Sequence, residues 1–236
     1  MIFMKKIILN NKSYQSFDEA VEYKKYIDKI NIKDHEIILF PNISYISMYK
    51  SSKKRIGAQN FYSYNYGSYT GEINLESLKS MNINYVMVGH SERKKYGLDN
   101  YEQIKDKLFK SINANFNVLL CIGELKETKN PLKYIKKELD YLTKEITEDK
   151  INNLSVAYEP SWAIGTGETP EIEDIGYIIS EIKKYVYKRY NKEVEVFYGG
   201  SIDEDNIKEI LLVSDGVLIG KKSAFKEDLE KIIKKI

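Results

Sequence analysis

Eight short apolar segments alternate along the chain with longer amphipathic segments, and this alternation constrains the fold more than any other feature. The first apolar segment lies in KKIILNN at residues 5–11, and the last in DGVLIG at residues 215–220. Short, continuous apolar segments are typical of strands that are buried on both faces of a parallel sheet. The amphipathic segments have the pattern of helices that cover such a sheet. The sequence therefore predicts eight strand–helix units in order.

The predicted elements cover the chain without a Ser/Pro-rich linker or a change in composition. A single domain over residues 1–236 is therefore predicted. The predicted strands are 5–11, 35–41, 55–60, 83–89, 116–123, 154–159, 194–199 and 215–220. The predicted helices are 17–30, 44–52, 75–81, 101–112, 131–146, 173–190, 204–212 and 226–236.

Eight parallel strands with right-handed crossovers can close into a (β/α)8 barrel, although periodicity alone leaves an open doubly wound sheet as an alternative. The residues directly after the strands favour the barrel, because many of them are polar or glycine. They are Asn10 and Lys12, Gln59 and Asn60, His90, Cys121 through Glu124, Glu159, Gly199 through Ser201, and Gly220. In a closed barrel these positions meet on one face, where barrel enzymes hold their catalytic groups. The predicted fold class is α/β, a (β/α)8 barrel.

The charge balance excludes broad electrostatic binding of nucleic acid or of a membrane surface. The chain has 37 Lys and Arg residues against 35 Asp and Glu residues, for a net charge of +2, so any anion site must be local. The single cysteine, Cys121, cannot form an intrachain disulfide, which fits a reducing compartment. The N-terminal residues show no signal peptide, and no apolar segment is long enough to span a bilayer. A cytoplasmic protein without nucleic-acid or membrane partners is expected.

The segment AYEPSWAIGTG at residues 157–167 combines a carboxylate, a proline and the only tryptophan of the chain. Glu159 follows the sixth predicted strand, and Pro160 restricts its backbone, so the carboxylate is held at a defined angle. A solvated surface carboxylate is the alternative. Trp162 and the following glycines predict a lid with an apolar anchor, in which Gly165 offers a backbone N–H to an anion. A glycine-rich surface loop beside a core tryptophan is the alternative here.

The segment VGHSER at residues 88–93 places His90 at the start of a predicted helix. A helix N-terminus disfavours a protonated imidazole, so a neutral ring can donate a hydrogen bond to a substrate oxygen. The other histidine, His35, is interpreted as structural. Lys12 follows the first strand directly, where its charge can stabilise a developing anion, although a surface lysine is the default interpretation.

Two glycine-containing turns follow the seventh and eighth strands, in YGGS at 198–201 and LIGKKSA at 218–224. Backbone N–H groups at Gly200, Ser201, Gly220 and Lys221 can bind a phosphate without bulk positive charge. Barrel enzymes frequently bind phosphate at these two loops. A Gly-Gly turn alone equally fits a tight turn without a ligand, so the predicted phosphate site depends on having both turns.

These motifs, together with NNK (10–12), AQN (58–60), YTGE (69–72) and LLCIGE (119–124), resemble in order and spacing those of the triosephosphate isomerase family along the whole chain. The resemblance implies a TIM barrel and an isomerase of glycolysis and gluconeogenesis. Such an enzyme interconverts dihydroxyacetone phosphate and D-glyceraldehyde 3-phosphate through an enediolate. The resemblance implies no cofactor, and no cluster in the sequence has the spacing of metal ligands.

The resemblance also implies roles for individual residues. Glu159 is the base, and the enediolate oxygens are stabilised by His90, Lys12 and Asn10. The phosphate is bound by Lys12, Gly165, Ser201, Gly220 and Lys221. Glu92 is either an acid at a helix start or a buried acid near the site.

The aromatic loop at 60–72 is implied to reach into a second subunit of a homodimer. There Thr70 would brace the partner's Asn10, and Glu72 would pair with the partner's Arg93. A self-packed surface loop is the alternative, although four tyrosines and a phenylalanine in one loop are more than a monomer is expected to expose.

Two positions and one short segment, Glu168-Thr169-Pro170, depart from the family pattern. Asn11 replaces a usual tryptophan, which affects local packing, and Lys221 replaces a glycine of the phosphate site. At the end of the lid, Thr169 is predicted as an N-cap and Pro170 as the first helical residue, which would stiffen this hinge. Two other functions remain open at this stage: a barrel enzyme for a different phosphorylated metabolite, and a non-catalytic phosphate-metabolite binding protein.

Overall fold

Eight parallel strands pair in sequence order and close into a barrel in the computed structural model, which describes residues 4–236. Strand β8 pairs with strand β1 from Lys6↔Gly216 to Leu9↔Ile219. This closure confirms the predicted barrel and excludes the open sheet. The first three residues of the domain predicted over 1–236 lie outside the described residues. The strands are β1 Lys5–Asn10, β2 His35–Phe40, β3 Arg55–Ala58, β4 Tyr85–Val88, β5 Asn117–Ile122, β6 Leu154–Tyr158, β7 Glu195–Tyr198 and β8 Gly216–Ile219.

Helices surround the barrel, and local capping signals set where several of them begin. Ser16 and Glu19 form a capping box at the first helix, and Asn100 and Gln103 form another at the fourth. The α-helices are α1 Phe17–Ile27, α2 Leu75–Ser80, α3 Ser91–Lys95, α4 Tyr101–Asn113, α5 Pro131–Leu142, α6 Ile172–Tyr190, α7 Ile207–Val213 and α8 Lys226–Ile233. Short 3-10 helices occupy Ile43–Tyr49, Ile151–Asn153 and Lys221–Ala224.

Most of the observed elements are shorter than the predicted ones. Each predicted strand extends one or two residues past the observed end. The backbone nitrogens of Asn11, Glu159 and Gly199 still donate to carbonyls of the neighbouring strand. The short helix α3 at Ser91–Lys95 was not predicted as a separate element, and the helix predicted at 44–52 is a 3-10 helix.

The predicted cap of helix α6 is wrong. The N-cap is Glu171, and the helix begins at Ile172. Thr169 instead donates its hydroxyl to the carbonyl of Ser201 at 3.2 Å. Thr169 therefore bonds to the loop after β7 and does not cap the helix. Pro170 lies before the first helical residue.

Alternate residues of each strand face the barrel interior or the helices, as the period of a strand requires. The interior is filled by one buried cluster, which comprises Ile8, Ile38, Phe40, Met87, Leu119, Cys121, Ala157, Phe197 and Leu218. A second, larger cluster fills the layer between strands and helices and includes Ile7 and Leu9. The barrel interior is thus filled with side chains, and the residues at its carboxyl end lie above this packed layer. Within residues 4–236, no helix has the length and apolar character needed to cross a membrane.

Candidate active site

A cavity of about 460 Å³ opens at the carboxyl ends of the strands. Residues that follow five different strands line it, and they include most of the predicted site. These are Asn10, Lys12, His90, Glu92, Glu159, Gly165, Gly200, Ser201, Gly220 and Lys221. A larger groove of about 760 Å³ lies outside the barrel between α1 and α8 and contains none of these residues. The chemistry of the lining, rather than the size of the space, identifies the candidate site.

Glu159 is buried at the cavity floor with 3% of its surface exposed. Its Oε1 lies 3.5 Å from Nε2 of His90, and its Oε2 lies 3.5 Å from the backbone nitrogen of Ser91. The main-chain nitrogen of Glu159 donates to the carbonyl of Ile122 at 2.7 Å, which fixes the backbone behind the side chain. Gly199 leaves room for the carboxylate, because a Cβ there would approach Cγ of Glu159 to 2.8 Å.

The hydrogen bonds of His90 define its protonation. Its Nδ1 accepts the backbone N–H of Glu92 at 3.2 Å, so this nitrogen carries no proton. A neutral ring then carries its proton on Nε2, the nitrogen that faces the cavity. His90 is also the N-cap of α3. The geometry fits the neutral donor that the sequence predicts.

Asn10 brings a second donor to the same place. Its Oδ1 accepts the backbone N–H of Lys12 at 3.1 Å, which orients the amide so that Nδ2 faces His90. Nδ2 of Asn10 and Nε2 of His90 lie 3.4 Å apart. Two donors cannot satisfy each other. Nε2 of His90 lies 3.5 Å from Oε1 of Glu159, and Nδ2 of Asn10 lies 3.9 Å from Sδ of Met87, so both donors face long contacts that a substrate oxygen can replace.

Lys12 adopts a left-handed backbone conformation with φ of 51°. A non-glycine residue there costs on the order of 1 kcal/mol. The conformation is supported by Gln59, whose Nε2 donates to the carbonyl of Lys12 at 3.0 Å. The ammonium pairs with Oε1 of Glu92 at 2.5 Å. Glu92 lies in the first turn of α3 and its side chain is 39% exposed, so it is a helix-start acid that also pairs with the site lysine rather than a fully buried acid.

Asn11 is completely buried and joins two loops of the site. Its Nδ2 donates to Oε1 of Gln15 at 3.1 Å, and its Oδ1 accepts from the hydroxyl of Ser223 at 3.3 Å. Ser223 belongs to the 3-10 helix after β8. The departure at this position therefore replaces apolar packing with hydrogen bonds.

The lid, residues 160–169, is hydrogen-bonded to the loop after β7. The hydroxyl of Ser201 donates to the carbonyl of Ala163 at 2.6 Å and accepts the N–H of Gly167 at 3.1 Å. Gly165 and Gly167 have φ values of 70° and 82°, in the region that favours glycine. Because the hydroxyl of Ser201 is engaged with the lid, its backbone N–H is the group left for an anion.

The leading end of the lid is anchored to Glu124, a residue for which the sequence analysis assigned no role. Its buried Oε1 accepts from Nε1 of Trp162 and from the hydroxyl of Tyr158, each at 3.2 Å. Its Oε2 has no protein partner among the residues that the structure describes. Burial, and then the charge of Glu124, raise the pKa of the Tyr158 hydroxyl well above its usual value, so it remains a donor. The sequence signal was a carboxylate at the end of the LLCIGE strand.

The two glycine turns differ in how they are built. Gly200 is required by sterics, because a Cβ there would lie 2.1 Å from the hydroxyl oxygen of Tyr198. Lys221 begins a 3-10 helix directly after Gly220, and its side chain is exposed. Its ammonium lies 5.9 Å from the ring centre of Tyr14, at the rim of the cavity. The side chain of Lys221 thus points to solvent and does not fill the turn, where the family has a glycine.

Cys121 lies in the packed barrel interior beneath the site. Burial, followed by the charge of Glu159, raises the pKa of its thiol well above the usual value. The thiol is therefore a packing group. Across residues 4–236, no three His, Cys, Asp or Glu side chains are grouped so that they could hold a metal ion.

The predicted dimer loop lies beside the site. Thr70 and Glu72 are exposed, and Thr70 does not line the cavity. Three rings of the loop pack together, since Tyr62 lies 5.3 Å from Tyr64 and 5.0 Å from Tyr69 between ring centres. A second cavity of about 380 Å³ adjoins this loop and shares Asn10, Lys12, His90 and Glu92 with the first, and it also includes Glu72 and Arg93. Within its own chain, Arg93 pairs with Asp99 at 2.5 Å.

Comparison with known proteins agrees with this geometry. The family model described as Triosephosphate isomerase matches residues 5–236. The chain is 32% identical to the triosephosphate isomerase of Alkaliphilus metalliredigens (strain QYMF), over 93% of this chain and 94% of the relative. It is 32% identical to that of Clostridium tetani (strain Massachusetts / E88), over 97% and 96%. It is 34% identical to that of Orientia tsutsugamushi (strain Boryong), over 99% and 98%.

Proposed function

Because this chain belongs to the triosephosphate isomerase family, we propose that the 460 Å³ cavity is its active site and that the residues around it divide the reaction as follows. The enzyme is an intramolecular aldose–ketose isomerase of glycolysis. It interconverts dihydroxyacetone phosphate and D-glyceraldehyde 3-phosphate. The substrate is a small phosphorylated triose.

Glu159 is the base. A carboxylate oxygen removes the proton from the carbon next to the carbonyl, the C–H electron pair forms a carbon–carbon double bond, and the carbonyl oxygen takes the negative charge. The hydroxyl proton then moves to the former carbonyl oxygen, the oxygen that loses it becomes the new carbonyl, and the same carboxylate returns the first proton to the neighbouring carbon. The observation that supports this role is the 3.5 Å distance between Oε1 of Glu159 and Nε2 of His90, which places a base and a donor on one side of the cavity.

His90, Asn10 and Lys12 stabilise the enediolate. Nε2 of His90 and Nδ2 of Asn10 are two donors 3.4 Å apart that can share one substrate oxygen as their acceptor. The ammonium of Lys12 adds a positive charge that is held by a fixed backbone. Donors that are oriented before substrate arrives stabilise developing charge without reorganisation, which is the largest electrostatic contribution in such sites.

The phosphate is bound by backbone N–H groups of Gly165, Ser201, Gly220 and Lys221, with Lys12 beside them. The lid excludes water when it covers the substrate, which strengthens these interactions and protects the intermediate. Glu92 positions Lys12 through their ion pair.

The loop at 60–72 mediates a homodimer in this proposal. Its exposed tyrosines and the adjoining 380 Å³ cavity support it, because that cavity includes Asn10 and Lys12 and is open at the surface. Thr70 braces the partner's Asn10, and Glu72 pairs with the partner's Arg93. The proposal further treats residues 1–236 as one domain of a cytoplasmic enzyme.

Isotope incorporation tests the assignment of the base. Glyceraldehyde 3-phosphate is converted in D2O by the wild-type protein, and the dihydroxyacetone phosphate is examined by NMR for deuterium on the carbon that receives the proton. Deuterium is expected there with the wild type, because the carboxylate exchanges with solvent between the two transfers. In the Glu159→Gln variant, conversion and incorporation are both expected to be slowed by at least about a hundredfold. Incorporation at the wild-type rate in that variant would reject Glu159 as the base, and no conversion by the wild type would favour the non-catalytic alternative.

A further inference from the structure

Glu138 of helix α5 carries a buried carboxylate that no step of the proposed reaction uses. Its side chain is 1% exposed, and its Oε1 lies 2.9 Å from Nζ of Lys94. Its Oε2 accepts the backbone N–H of Gly123 at 3.2 Å. Lys94 lies on α3, the helix that His90 caps, and Gly123 directly follows β5. One carboxylate therefore joins the segments that follow two neighbouring strands.

Gly123 is in direct contact with the backbone of the proposed base. A Cβ on Gly123 would lie 1.9 Å from the carbonyl oxygen of Glu159 and 2.4 Å from its carbonyl carbon. The nitrogen of Glu159 also donates to the carbonyl of Ile122, the residue before Gly123. A shift of Gly123 must therefore be transmitted to the main chain of Glu159.

We propose that Glu138 is a positioning residue that fixes the base and the histidine relative to each other. Through Gly123 it sets the position of the Glu159 backbone, and through Lys94 it sets the helix that begins beside His90. The inference rests on the proposed roles of Glu159 and His90. It assigns a function in catalysis to a carboxylate that does not line the cavity.

A contribution to stability does not by itself account for the buried ion pair between Glu138 and Lys94. Removing two charges from water offsets much of their attraction, so a buried ion pair contributes little net stability compared with apolar side chains of the same volume. Burial disfavours the charged form of Lys94, but attraction to Glu138 outweighs this effect and raises the pKa of the ammonium. The ammonium of Lys94 thus stays charged, and the directional bonds of Glu138 to Lys94 and Gly123 supply what apolar packing lacks: a defined distance between two loops. Reaction rates depend steeply on such distances, because a misplacement of about 1 Å can reduce a rate on the order of a hundredfold.

Three variants test the proposal by steady-state kinetics and thermal unfolding. Glu138→Met fills similar space without an acceptor for Gly123 or a partner for Lys94, and it is expected to lower kcat about a hundredfold with little change in KM. Glu138→Gln keeps an acceptor oxygen and is expected to retain most of the wild-type kcat. The matched control is Glu181→Met, because Glu181 pairs with Lys136 of the same helix α5 at 3.2 Å and touches no site residue in that pair. It is expected to leave kcat and KM unchanged.

The double variant Lys94→Met/Glu138→Met covers the case in which Glu138→Met alone does not fold, because it leaves no unpaired buried charge. It is expected to fold and to show the same loss of kcat. A wild-type kcat in folded Glu138→Met, or in the double variant where Glu138→Met does not fold, would overturn the proposal, as would a loss of kcat that Glu181→Met shares. Failure of the base assignment would appear in the Glu159→Gln isotope experiment instead, so the two failures are distinguishable.

Discussion

Lys6, near the start of strand β1, and Lys12, in the loop after it, lie at opposite ends of the barrel and are used differently. At the amino end, Lys6 pairs with Glu195 of strand β7. At the carboxyl end, Lys12 pairs with Glu92 of helix α3. The space around the amino-end pair is only about 40 Å³, whereas the carboxyl-end pair borders the 460 Å³ cavity.

The difference lies in the backbone rather than in the charged groups. Lys6 and Glu195 are regular strand residues, so the ladder fixes both and the pair ties β1 to β7 across the barrel. Lys12 lies in a loop with a left-handed backbone, and its partner lies on a short helix. A Lys–Glu ion pair can therefore stabilise the barrel at the amino end, whereas a pair of the same type holds the ammonium of Lys12 for chemistry at the carboxyl end. This division matches the general separation of stability and activity between the two faces of such barrels.

The largest expected effect is a contrast between two glutamates. Glu159→Gln is expected to lower kcat about 10²- to 10⁴-fold, because it removes the group that transfers the proton. Glu195→Gln at the amino end is expected to leave kcat unchanged. A coupled isomerase assay on both purified variants, with circular dichroism as a check of folding, measures the contrast. Similar kcat values in the two variants would contradict the assignment of chemistry to one end.

A smaller contrast is expected between the two lysines. Lys12→Met is expected to lower kcat/KM about 10²- to 10³-fold, as for other preorganised groups that stabilise an oxyanion. Lys6→Met is expected to keep kcat/KM and to lose about 1 kcal/mol or less of unfolding free energy, because both partners are partly exposed. Kinetic assays and urea unfolding separate the two outcomes. A large loss of activity in Lys6→Met would show that the amino-end pair also serves the site.

Deletion of residues 64–68 sharpens the comparison further, because it removes support from the carboxyl end only. The variant is expected to be a monomer by light scattering, with kcat/KM reduced about ten- to a hundredfold as Asn10 and Lys12 lose their brace. Its barrel is expected to remain folded by circular dichroism. A dimer of full activity would show that the self-packed tyrosines have no role in assembly.

The smallest expected effect concerns Lys221, an exposed lysine at the rim of the carboxyl-end cavity. Lys221→Ala is expected to weaken inhibition by inorganic phosphate by at most about fivefold, because an exposed charge contributes about 1 kcal/mol or less. Lys137→Ala on α5 is the control, since this lysine is also exposed and lies away from the cavity. A loss far above fivefold in Lys221→Ala alone would mean that its ammonium, rather than its backbone, binds the phosphate.

The sequence predicts the barrel and most of the site because both depend on local signals. Alternating segments define the strands, and the residues directly after them converge once the barrel closes, as Asn10, His90 and Glu159 do. Contacts between distant segments could not be predicted in this way. The bond of Ser201 to the lid and the bond of Glu138 to Gly123 depend on the packing of loops and helices. For the same reason Thr169 fitted the pattern of a helix cap, although the loop after β7 binds its hydroxyl.

The closure of β8 onto β1 also bears on how the chain is made. A strand at the edge of a sheet exposes unpaired N–H and C=O groups that invite pairing with other chains. In the finished barrel every strand has two neighbours, but the partners of Lys6 through Leu9 on β8 are Gly216 through Ile219. A ribosome must therefore produce the chain as far as β8 before β1 can acquire its last partner. Until then one edge of the apolar part of β1 is unpaired, and the interval between synthesis and closure is when this edge is open to pairing with other chains.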